Sequence, residues 1–79
     1  MKANRVYRLI VTREGRTPAL LADAGRFDHI EVVGIDDGEV VLFWDRPAHA
    51  ASRMARTLRE ELYELEADEF LARWSAVEG

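Results

Sequence analysis

The chain contains no cysteine. That excludes a disulfide scaffold, a thiolate zinc site, an iron–sulfur cluster and a cysteine nucleophile. It has only two histidines, His29 and His49, and their spacing matches no metal motif, so neither a metal nor any other cofactor is expected. Its five glycines form no phosphate-cradling run and no dinucleotide fingerprint. The only serines, Ser52 and Ser75, have no glycine-flanked elbow and no evident acid–base partner. No apolar run approaches the ~20 residues of a membrane-spanning helix. Residues Met1–Arg5 lead straight into a strand-like segment without the apolar core of a secretory signal, so the expected location is cytoplasmic.

What remains is 79 residues, 48% apolar and 33% charged, which is too apolar for a disordered chain and long enough for one domain. Size scaling for such a chain predicts burial of about 60% of its unfolded surface, a small core without staples. The net charge is −4, and an acidic chain argues against a dedicated nucleic-acid binder. The charge is unevenly spread. Residues 1–26 carry Lys2 and five arginines against Glu14 and Asp23, while residues 27–79 carry five arginines against thirteen acids. The plainer reading of the basic N-terminal third is that it neutralises the acidic remainder.

Val6–Thr12 is rich in β-branched and aromatic residues and reads as a strand. Thr17-Pro18 opens a short helix that Gly25 ends. Phe27–Ile35 and Val40–Trp44 read as strands joined through Asp36-Asp37-Gly38, a strong hairpin signal. Asp45 is the expected cap of a long helix, in which Ala48, Ala51, Ala55, Leu58, Leu62 and Leu65 form one stripe. Past Glu66 the stripe changes phase: Phe70, Leu71, Trp74 and Val77 face roughly 120° away. The chain must turn near Ala67-Asp68, with Asp68 capping a second helix, or residues 68–77 must pack on another chain. The predicted class is α+β: a three-stranded, mostly antiparallel sheet with one long helix on one face. The order strand, helix, strand, strand, helix resembles the ferredoxin-like plan without its last strand. The likeness is architectural, and no residue motif identifies a family.

Both faces of the predicted sheet are apolar, more than one helix covers, so a homodimer or another protein partner is expected to complete the fold. The long helix carries Arg53, Arg56 and Arg59 before Glu60, Glu61, Glu64 and Glu66. This is against its dipole but self-complementary in an antiparallel pair. Interface candidates are therefore Arg53, Glu60 and Glu64 on this helix and Phe70, Leu71 and Trp74 on the phase-shifted stripe. The alternative to that geometry is a solvated helix with a local Arg56–Glu60 pair. His49, Ser52, Arg56, Arg59 and Tyr63 line one flank and are the candidate ligand-binding set, suited to an anion. Asp28 is the neighbour expected to orient His29. No catalytic set emerges. The expectation is a non-enzymatic, self-associating interaction module. A small-ligand or regulatory domain using the arginine-rich flank, or a ferredoxin-like dimeric enzyme with a histidine in an enclosed cleft, are the alternatives.

Overall fold

The computed structural model describes residues 1–13 and 27–77, and the helix expected after Thr17-Pro18 lies outside them. Three strands form one antiparallel sheet in the order β1-β2-β3: β1 is Tyr7–Arg13, β2 is Phe27–Gly34 and β3 is Val40–Pro47. Two helices follow, α1 over Ala48–Glu64 and α2 over Ala67–Ser75. The α+β class stands. The ferredoxin-like likeness does not extend to the sheet: that plan places its first two strands parallel with another between them, whereas β1 lies beside β2 and runs antiparallel to it.

The β2–β3 hairpin forms where Asp-Gly predicts it, with a longer connection than a two-residue turn. Gly38 has φ +70° and donates to the Gly34 carbonyl at 2.9 Å, while the Glu39 amide donates to Asp37 Oδ1 at 3.0 Å. Aspartate bonding the backbone two residues on is ordinary turn chemistry, and Gly38 is the residue able to take the left-handed conformation. A register shift between Val32 and Val33 leaves Val41 without a partner of its own. The bulge lies close to the hairpin end, and beyond it β3 continues through Asp45 and Arg46 to Pro47. Asp45 is therefore a strand residue. The position before α1 is held by Pro47, so the expected aspartate cap is absent.

One sheet face carries the core. Ile30, Val32 and Trp44 are buried there against Ala51, Leu58 and Leu62 of α1 and Phe70 and Trp74 of α2. The alanine-to-leucine stripe of α1 packs as its period predicts, with Ala51, Ala55, Leu58 and Leu62 buried. The phase change is resolved within the chain. Helix α1 ends at Leu65, whose backbone is extended, and α2 starts on a new axis. Its cap is Glu66 in a capping box with Glu69, two residues before the expected Asp68. Phe70 and Trp74 are thereby core residues, at 0% and 8% exposure. Phe70 stacks on Tyr7 at 6.0 Å, and Trp74 meets Trp44 edge-on at 5.8 Å. They are thus not available as interface anchors, while Leu71 is half-buried.

The corner is held by the N-terminal arm. The Ala3 amide donates to the Leu65 carbonyl and the Ala67 amide to the Met1 carbonyl, each at 2.9 Å. The amino-terminal ammonium meets Glu66 Oε1 at 2.6 Å, and Lys2 Nζ lies 3.4 Å from Glu66 Oε2. These two cations, the ammonium foremost, hold the Glu66 carboxyl below the usual carboxylate range. A second clasp joins the helices: Glu61 Oε1 accepts the Trp74 indole N–H at 3.0 Å and pairs with Arg73 Nε at 3.0 Å.

Three outcomes follow from these contacts. Gly38→Ala, forced into a left-handed conformation, costs about 1–2 kcal/mol by urea denaturation. Glu61→Ala strands a mostly buried indole N–H and costs about 1–3 kcal/mol in the same assay. Glu66 has a depressed folded-state pKa, so its contribution is full above the ordinary carboxylate range and disappears as pH falls through the folded value. Glu66→Gln, which keeps a capping acceptor, therefore lowers the melting temperature at neutral pH, and the gap to the wild type closes in acid.

Candidate functional site

A concave site lies between the open ends of β1 and β2 and one flank of α1. Its volume is about 400 Å³. Strand β1 contributes Val11 and Arg13, β2 contributes Asp28, and α1 contributes Ala51, Ser52, Ala55, Arg56, Arg59 and Glu60. The local reasons are elementary. On β1 and β2, period-2 alternation sends Val11, Arg13 and Asp28 toward the helix side, in register as Arg13↔Asp28 and Asp28↔Arg46. Position 28 thus has an arginine as cross-strand neighbour on each side. On α1, Ser52, Arg56 and Arg59 follow one another at spacings of four and three, hence on one flank. Ala51 and Ala55 put only methyl groups at the seam, where Leu58 fills the next turn.

The predicted anion-binding flank is thus partly assembled. Ser52, Arg56 and Arg59 line the cleft; His49 and Tyr63, on the same stripe, lie beyond its ends and are exposed, Tyr63 at 70%. Arg13 and Asp28 were not foreseen there, because they come from strands distant in sequence. The signal for them is the β1–β2 register itself, in which paired residue numbers sum to 41. Asp28 is 3% exposed, whereas Arg13, Arg56 and Arg59 are exposed and make no ion pair among the described residues. The Arg56–Glu60 pair, available by spacing, is not formed. Arg53 and Glu64, candidates for a helix-to-helix interface, are exposed on α1 but line no part of this cleft.

The second surface is the opposite face of the sheet, which neither described helix covers. Ile10, Phe27 and Phe43 are exposed on it at 39%, 42% and 46%, and Val40 and Val41 stand exposed at the bulge. A groove of about 250 Å³ runs beside Val33, edged by Arg8, Ile10 and Ile35. Thr12, His29 and Asp45 form one row across the three strands. His29 Nδ1 pairs with Asp45 Oδ1, and the imidazole stacks on Phe43 at 5.9 Å. Asp28 does not orient this ring, because adjacent strand residues point to opposite faces. A hairpin centred on Asp37 pairs 29 with 45, so this partner was legible. Neither histidine lines either cleft. Among those residues no three histidines or carboxylates gather as a metal would need. No helix is long and apolar enough to cross a membrane.

Comparisons with protein-family models, with curated proteins and with solved structures found no match to this chain.

Proposed function

We propose that this chain is a small self-associating module in which two copies pair through the open faces of their sheets, with no chemistry of its own. The observation that carries the reading is the apolar character of that face. Ile10, Phe27 and Phe43 stand in solvent on it, whereas the sheet's other face carries the core with α1 and α2. A sheet that keeps one face wet normally alternates apolar with polar residues.

The occupant argued for is a second copy. The face carries Arg8 toward the hairpin end of β1, with Glu31 central and Asp45 toward the far end of β3. A two-fold axis passing between Arg8 and Glu31 sets the arginine of each copy against the glutamate of the other, the self-complementarity that a symmetric dimer requires. The groove beside Val33 is of a size to receive an aromatic ring, and Phe43 is the exposed ring nearest the middle of the face. Edge-to-edge growth is disfavoured on β3 by the bulge at Val41 and by Pro47. Three strands of this length present roughly 400 Å² per copy, which places the dimer in the small, weak class of interface. The packed interior position of Phe70 and Trp74 removes the competing geometry through the C-terminal stripe.

Sedimentation equilibrium between about 10 µM and 1 mM, a range bracketing weak dimers, is expected to show a concentration-dependent mass that reaches two chains. Phe43→Glu holds the protein at one chain, and Arg53→Glu on α1 changes nothing. A single-chain mass throughout the range overturns the proposal. So does a dimer that survives Phe43→Glu and dissociates with Arg53→Glu, which would move the interface to the helix.

A further inference from the structure

The cleft beside α1 is unrelated to the open sheet face, since it lies on the helix-bearing side. Three guanidiniums from two elements, Arg13, Arg56 and Arg59, line it. Arginine stays charged at any physiological pH, so gathering three around one concavity carries a repulsive cost that nothing among the described residues offsets with an ion pair. The one carboxylate within easy reach along the helix, Glu60, is not used to neutralise Arg56. Counting Asp28 and Glu60 with the three arginines, the cleft is net cationic in a chain that is net −4. A basic concavity on an acidic protein focuses potential on one small region and concentrates anions there.

The walls define the rest of the ligand. Val11 and the aliphatic stems of Arg13, Arg56 and Arg59 supply an apolar surface, while Ala51 and Ala55, at 0% and 2% exposure, are buried beneath it and let α1 lie close to the sheet. A volume of about 400 Å³ is within the usual range for small-molecule sites, generally ~300–1,000 Å³. Guanidinium forks match phosphate and carboxylate oxygens with two parallel hydrogen bonds. The Ser52 hydroxyl adds a donor from the same flank. Asp28 does the opposite: a buried carboxylate behind the wall sets negative potential there and disfavours a ligand charged along its whole length. The combination fits one oxyanion on a mostly apolar body.

We infer that this cleft binds a small organic anion, in which one phosphate or carboxylate group is held by Arg56, Arg59 and Arg13 while an apolar body lies on Val11 and the aliphatic stems of the arginines. The site belongs to a single chain, so it persists whether or not two copies pair.

The test uses three probes on the full chain: inorganic phosphate, phenyl phosphate and benzoate, titrated while backbone amide shifts are followed by NMR. Phenyl phosphate or benzoate is expected to bind at least about tenfold more tightly than inorganic phosphate, because only they use Val11 and the arginine stems. Which of the two binds more tightly identifies the oxyanion as phosphate or carboxylate. The shifts concentrate on residues 51–60 and on Arg13. Arg56→Ala weakens binding about tenfold or more, the usual scale of a charge-assisted contact. Val11→Ser, which makes the accessible apolar wall polar, lowers the preference over inorganic phosphate. Arg53→Ala, an arginine of the same helix outside the cleft, leaves affinity unchanged. The Phe43→Glu variant binds as the wild type does, so failure of self-association and failure of this site are separable. Equal affinity for all three probes, equal losses at Arg53 and Arg56, or no saturable shift at millimolar probe overturns the inference.

Discussion

The structure turns on the corner at Leu65–Glu66. Two apolar stripes whose phases differ by roughly 120° cannot share one straight helix against one sheet. Breaking the helix there, and restarting it on Glu66, lets both stripes close on Ile30, Val32 and Trp44. The break leaves backbone groups that need partners, and the N-terminal arm supplies them through Ala3 and Met1. Residues more than sixty positions apart thus complete one another: the arm caps the corner, and the corner buries Ala3 completely. The position of α1 across the sheet, and hence the concavity beside its arginine flank, is a consequence of the same arrangement.

Local regularities made much of this legible. The hairpin, the alanine-to-leucine stripe and the need for a turn after α1 all rest on short-range physics: turn chemistry, helical period and phase. Local pattern misleads where a residue has two possible local uses. Asp45 beside Pro47 looks like a helix cap, but the strand runs past it, and its carboxylate pairs with His29. Asp28 looks like a partner for His29, but strand alternation sends it to the other face. In both cases the hairpin register, centred on Asp37, contains the answer and outranks adjacency in sequence. Trp74 shows a different limit. Period alone says that Trp74 faces away from the first stripe, and only the corner tells whether it faces solvent or the same core. The cleft was half legible, since Ser52, Arg56 and Arg59 follow from helical spacing alone, whereas Arg13 and Asp28 require the pairing of β1 with β2.

The uneven charge of the chain acquires a physical meaning from the two faces. Arg8 and Arg13 are five apart on one strand, an odd separation, so alternation assigns one to the open sheet face and the other to the cleft. The two arginines of β1 are thereby divided between two surfaces of opposite orientation. Arg8 stands beside the groove at Val33, and Arg13 joins the arginines of α1.

Both tryptophans of the chain, Trp44 and Trp74, stand in a single edge-to-face pair. One indole is anchored to the backbone carbonyl of Val77 and the other to Glu61. Every tryptophan signal the protein emits therefore originates at the seam between the sheet and its last helix. The two rings are held in one asymmetric environment, which gives the docking of α2 its own near-ultraviolet optical signature. Undocking of that helix changes the whole of the indole spectrum at once, while events on the open sheet face or in the arginine cleft leave it as it was.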